Sequence, residues 1–203
     1  MTEYFEVHER DGAARLAELR LADPVTTPAV VDDHLADAGS LWPTERDVPE
    51  GDESVLTVLP HRGLPGGTPE EVAEAFAVDY PDVDYPSAAV VSTETADDDS
   101  ADAYVLSEAA GVVGHAEAFV EAVIETREAI PDDTALMLSG VATPRNVATL
   151  VYAGVDLVDR DRAVVRGTQG RYLTTDDAYF LEDLDELPCS CPACRQPREE
   201  FDR

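Results

Sequence analysis

A chain of 203 residues, 44% of them apolar, is long enough for one domain with a hydrophobic core and too apolar for a disordered acidic tail. Its 44 acidic residues face 14 cations, all arginine, for a net charge of −30; it gains little from counterion release on nucleic acid, and its surface fits molar salt, where a Debye length of about 3 Å removes most self-repulsion. No apolar stretch reaches membrane-spanning length, and the opening "MTEYFEVHERDG" lacks the basic and apolar regions of a signal peptide, so a cytoplasmic protein of a halophile is expected, with no membrane partner.

In chain order, "YFEVHERDGAARLAELRLAD" alternates around Asp11-Gly12 and predicts a hairpin with strands near 5–9 and 16–21. "SVLTVLP" reads as a buried strand. The glycine-rich "HRGLPGGT" follows, then a helix with Thr68 as N-cap and Pro69 at its first position. "SAAVVS" is strand-like, and "TETADDDSAD" after it reads as an acidic surface loop without core residues. "HAEAFVEAVIETREAI" places Phe119, Val120, Val123, Ile124 and Ile130 near helical spacing before Pro131. Ala135–Leu138 then predicts a buried strand, Thr143-Pro144 a helix start, Gly154 its end, and residues 155–158 a second strand parallel to the first. The class is therefore α/β, an open doubly wound sheet or a closed barrel. In both, ligand chemistry gathers beyond the C-terminal strand ends, which singles out Gly140, Val141, Ala142 and Asp159.

Asp159 is a candidate nucleophile on a sugar carbon, or else a loop aspartate that starts a turn or pairs with Arg160 or Arg162. Asp156, inside the same strand, is a lesser candidate. Charge is uneven: residues 1–144 hold 6 Arg and 32 acids, residues 145–203 hold 8 Arg and 12 acids, so any contact with RNA phosphate belongs to the last third. All three cysteines, Cys189, Cys191 and Cys194, sit in "PCSCPAC" at a spacing that suits zinc and is too tight for a disulfide framework. A fourth donor is not evident in the pattern. His8, His34, His61 and His115 are available, and a ligand beyond Arg203 is the favoured expectation. Of these histidines, His61 lies nearest a strand end.

Three blocks, "AGVDLVD" (153–159), "GRYLT" (170–174) and "LDELPCSCPAC" (184–194), together with "FEVHERDGAARLAEL" and "TPAVV" near the start, resemble the archaeal archaeosine branch of the tRNA-guanine transglycosylase superfamily. The resemblance implies a (β/α)8 TIM-type barrel that exchanges guanine in tRNA for a 7-deazaguanine-type base. It implies Asp159 as the nucleophile and zinc on Cys189, Cys191, Cys194 and a later histidine. The sequence also departs from the pattern. The family's Asp-Ser-Gly-x-Phe-Gln block is absent, its Gly-x-Gly-x-Pro loop reads Gly140-Val141-Ala142-Thr143-Pro144, and Arg160-Asp161-Arg162 replaces small residues after the aspartate. A whole barrel takes about 250 residues, so this one is shortened or incomplete.

The expectation is a barrel region over 1–187 with an N-terminal β-hairpin, and the start of a zinc-knuckle segment over 188–203. These losses point to the archaeosine synthase type within the superfamily, with impaired base exchange, tRNA as partner and a possible homo-oligomer. The alternatives are an active transglycosylase using Asp159 and a non-catalytic, zinc-stabilised scaffold.

Overall fold

A computed structural model describes residues 2–37, 50–61, 83–93, 101–107, 109–112 and 114–185, together with Pro69, Glu71, Val72, Ala96 and Pro188. The glycine-rich loop and the cysteine knuckle lie outside the described residues. So does most of the helix expected after Thr68, although Glu71 and Val72 are helical.

β1 (Phe5–Asp11) and β2 (Ala14–Leu19) form the expected hairpin, with Asp11 opposite Ala14 and Phe5 opposite Leu19. The two turn residues are Gly12 and Ala13, one place on from the expected Asp11-Gly12, and Gly12 takes φ +62, the left-handed backbone that a turn with glycine at its first central position requires. β3 (Val25–Thr27) pairs antiparallel with β2.

Seven short strands then build one sheet: β4 (Ala29–Val30), β5 (Leu35–Asp37), β6 (Leu56–Val58), β7 (Ser87–Val91), β8 (Ala103–Leu106), β9 (Ala135–Leu138) and β10 (Leu157–Val158). Their order is β4-β10-β9-β8-β7-β6-β5, and every neighbouring pair is parallel. β4 and β5 are opposite edges of this sheet, yet only residues 31–34 join them. Five Cα-to-Cα steps of about 3.8 Å limit the Val30 to Leu35 separation to about 19 Å, whereas a flat seven-strand sheet at about 4.8 Å per strand would hold its edges about 29 Å apart. The sheet must therefore curl, as in an incomplete TIM-like barrel.

Side chains alternate across the curled sheet into two cores. Inside lie Leu56, Val58, Ala88, Ala103, Val105, Ala135, Met137 and Leu157, joined by Phe5, Ala17, Leu19 and Leu21 from the hairpin sheet. The hairpin sheet covers the N-terminal strand ends. Ala22 N–H reaches Glu53 O just before β6, the Tyr4 hydroxyl reaches Asp84 O before β7, and the Thr2 hydroxyl meets Asp102 before β8. Outside, Val91, Tyr104, Leu106, Leu136, Leu138 and Val158 pack against the crossover helices. Those helices are α1 (Ala109–Val112), α2 (Ala116–Ala129) and α3 (Val147–Tyr152). α4 (Asp161–Thr168) follows β10 and leads to an antiparallel pair, β11 (Arg171–Leu173) and β12 (Ala178–Phe180). No helix among the described residues is long and apolar enough to cross a membrane.

Three features differ from the sequence reading. β8 was not expected, because its four residues directly follow an acidic stretch; its burial on both faces comes from neighbours distant in sequence. Ala96, placed in a loop without core residues, is fully buried in the outer core. α3 begins at Val147, not at Pro144, because Asn146 is its N-cap and residues 144–146 form a turn.

Candidate active site

The C-terminal strand ends bring three loops together. Asp159 directly follows β10 and is 5% exposed. Both of its carboxylate oxygens accept from the Gly140 N–H, at 2.9 and 3.0 Å, and one accepts from the Asp161 N–H at 3.2 Å. Gly140 presents that N–H because its φ is +69; a Cβ there would meet nothing within 4 Å, so backbone conformation and not space calls for glycine. Parallel pairing of β9 with β10, Leu138 opposite Val158, sets the two loops side by side.

Asn146 shapes the rest of the β9–α3 loop. Its Oδ1 accepts from the Thr143 N–H at 2.7 Å and the Thr143 hydroxyl at 2.9 Å, while its Nδ2 donates to Val141 O at 3.0 Å. Val141 and Ala142 are buried in the outer core, so this loop offers a ligand its backbone more than those side chains.

Across the seam, Asp32 follows β4 and accepts from the Arg160 N–H through both oxygens, each at 3.2 Å. The Arg160 guanidinium also lies 3.5 Å from Asp32 and 3.2 Å from Asp33. Asp32, Asp159 and Asp161 therefore crowd one rim. The charge on Asp159, then partial burial, then the charge on Asp32 hold the Asp161 carboxyl above its ordinary value. Asp159 itself has what an oriented carboxylate needs: backbone N–H donors and a fixed position at a strand end.

Asp156 has a different role from the one its sequence suggests. It precedes β10, at the opposite end of the strand from Asp159, and is 2% exposed. Arg15 Nε donates to it at 3.0 Å and a second Arg15 nitrogen also contacts it, while the Leu136 N–H donates at 2.8 Å. Arg127 lies 3.9 Å away, and burial, with Arg15 nearby, draws its guanidinium down to about 10. This cluster fastens the hairpin to the N-terminal strand ends. A cleft of about 510 Å³ opens beside it, lined by Arg10, Arg15, Arg127 and Asp132 among others. Guanidinium groups lining it donate to the carbonyls of Ile130, Pro131, Asp132 and Thr134 and so tie the hairpin to the loop before β9.

The structure thus joins Gly140 and Asp159, as the sequence predicts, and adds Asp32 and Asn146, which it did not. Asp32 sits two residues after "TPAV", but only the strand order reveals that β4 adjoins β10. Cys189, Cys191 and Cys194 lie outside the described residues, and among those described no group of three or more His, Cys, Asp and Glu is placed to hold a metal. His61, at a strand end, has Nδ1 3.3 Å from Leu59 O.

A family model described as queuine tRNA-ribosyltransferase matches residues 83–201, more than half the chain, including β7 to β10, Asp159 and the cysteine knuckle. The chain belongs to this family. It is 70% identical over 203 residues to the archaeosine synthase of Haloferax volcanii, an alignment that covers all of this chain and 35% of that protein. It is 32% identical over 221 residues to the archaeosine synthase subunit alpha of Methanosarcina acetivorans, covering 96% of this chain and 35% of the relative. To the tRNA-guanine(15) transglycosylase of Aeropyrum pernix it is 39% identical over 88 residues, 41% of this chain and 17% of that protein. The chain spans about a third of the length of the first two relatives.

Proposed function

We propose that this chain is the transglycosylase-like N-terminal region of an archaeosine synthase-type enzyme, serving tRNA modification in archaeosine biosynthesis with impaired base exchange of its own. Identity over the whole chain to a named archaeosine synthase supports the pathway. The geometry of Asp159 supports the impaired exchange, and that observation carries the reading. A nucleophilic carboxylate must bring an oxygen lone pair to the ribose carbon as the bond to guanine breaks. Here the Gly140 and Asp161 N–H groups hold the carboxylate in one orientation and the residue is 95% buried, so burial, not the loss of a lone pair, keeps a ribose from it. Ala142 in place of a glycine, and Arg160-Asp161-Arg162 after the aspartate, point the same way. Asp159 then acts as a tie that keeps the base-facing loop in shape, and tRNA with a 7-deazaguanine-type base is the substrate class.

Zinc is the cofactor that fits the donor set, since three thiols within six residues are soft ligands of the kind a tetrahedral structural site uses. Cys189, Cys191 and Cys194 would hold it, and its contribution there is to order the segment. Metal analysis of the enzyme at full length is expected to show zinc in wild type and its loss in Cys191→Ser; equal zinc in both would remove the cysteines from the site.

Incubating unmodified tRNA and labelled guanine with the chain tests the exchange. No label should enter the tRNA, in wild type or in Asp159→Ala. Label that enters with wild type and disappears in Asp159→Ala would favour an active transglycosylase with Asp159 as nucleophile.

A further inference from the structure

Residues 1–144 hold six arginines among 32 acids, and three of the six, Arg10, Arg15 and Arg127, line the cleft beside the hairpin turn. Shared carbonyl acceptors hold them in a row. Asp132 O accepts from Arg10 at 2.9 Å and from Arg15 at 2.8 Å, while Thr134 O accepts from Arg15 at 2.8 Å and from Arg127 at 3.0 Å. Guanidinium nitrogens of neighbouring members therefore lie within about 6 Å of each other, a distance at which like charges repel.

Their charge is only partly compensated. Asp156, the buried carboxylate of the cluster, is taken by Arg15 and stands 3.9 Å from Arg127. Arg10 has the Asp132 carboxylate at 3.4 Å, on a side chain that is 84% exposed. Burial first, and the charges of Arg15 and Arg10 after it, draw Arg127 down to about 10, as expected of a cation short of counter-charge. Donors also remain. The protein acceptors described take up two of the five N–H groups of Arg10 and three of those of Arg127. The walls are closely fitted: at Gly154, with φ +98, a Cβ would stand 3.2 Å from both Ala13 O and Arg127 Cγ.

We propose that this cleft, at the opposite end of the strands from Asp159, binds a small phosphorylated molecule through Arg10, Arg15 and Arg127. Three forks arriving from β1, β2 and α2 suit a tetrahedral group with oxygens in several directions, whereas a planar carboxylate matches a single fork. A volume of about 510 Å³ is that of a small-molecule site. RNA fits less well, because a phosphate backbone needs a track of cations and the lip of this cleft carries the exposed Glu128 and Asp132. A bound phosphoryl group bridges the hairpin to the end of α2. The site is independent of the proposed function.

The test is isothermal titration calorimetry on the enzyme at full length in molar KCl, with pyrophosphate and with adenosine monophosphate. At least one should bind saturably, one per chain, since contacts to buried guanidinium groups are screened little. Arg10→Gln should weaken that binding about tenfold or more, as should Ala13→Glu, which sets a carboxylate in the cleft and leaves all three arginines in place. The second variant separates a lost site from a lost tie between hairpin and loop. Arg20→Gln, a hairpin arginine outside the cleft, should leave binding unchanged. No saturable binding of either probe, or binding indifferent to both cleft substitutions, would overturn the proposal. Glutarate binding as tightly as pyrophosphate would overturn it in favour of a carboxylate site, and displacement of the bound probe by tRNA would overturn it in favour of RNA.

Discussion

Asp156 and Asp159 stand three residues apart in one stretch, and both are buried, yet they serve opposite ends of the molecule. Arg15 and Asp156 form a pair whose side chains are each 1% exposed, so removing one partner strands a charge in the core. Arg15→Leu should cost about 3–5 kcal/mol in denaturant unfolding, and combining it with Asp156→Leu should cost less than Arg15→Leu alone. At the other end, Asp161 should titrate by carboxyl NMR above its ordinary value of 3.8, chiefly because of the charge on Asp159. Its folded value is raised, so its contribution to stability is full below the ordinary carboxylate range and is lost as pH rises through the folded titration. Asp159→Asn should therefore bring Asp161 back down; an unchanged titration would place the two carboxylates too far apart to interact. These roles could not be read from the sequence, where Asp156 and Asp159 differ only in position. The partner of each lies far away: Arg15 in the hairpin, Gly140 after another strand.

At the level of elements, strands with continuous apolar runs, such as β7 and β9, and the amphipathic α2 were legible because one local pattern specifies each of them. β4, β5 and β10 span two or three residues and owe their place to pairing, so their order was not legible; nor was the curl that makes β4 and β10 neighbours. The β9–α3 loop shows the same limit. Thr143-Pro144 resembles a helix start, but the side chain of Asn146 organises the turn. Asn146→Ala removes three hydrogen bonds and should cost about 1–3 kcal/mol in denaturant unfolding, with increased hydrogen exchange at Thr143. Gly140→Ala should cost about 1–2 kcal/mol through its left-handed backbone alone. If both variants proved neutral, the loop would not be held as described.

For the molecule as a whole, charge and topology set the behaviour together. A body at −30 repels itself in dilute buffer, so the melting temperature should rise steadily from low to molar KCl, followed by circular dichroism; a flat profile would mean that the acidic surface carries no stability cost. The curled parallel sheet gathers Asp32, Asp159 and Asp161 at the C-terminal ends of its strands, and that rim holds the Asp159 carboxylate between two backbone amides. Whether Asp159 is a tie or a nucleophile is tested most directly by mixing the chain with tRNA and searching for an adduct that survives SDS. A carboxylate engaged by Gly140 and Asp161 should yield none, in wild type as in Asp159→Asn. A wild-type adduct that vanishes in Asp159→Asn would contradict the tie and make Asp159 the attacking group.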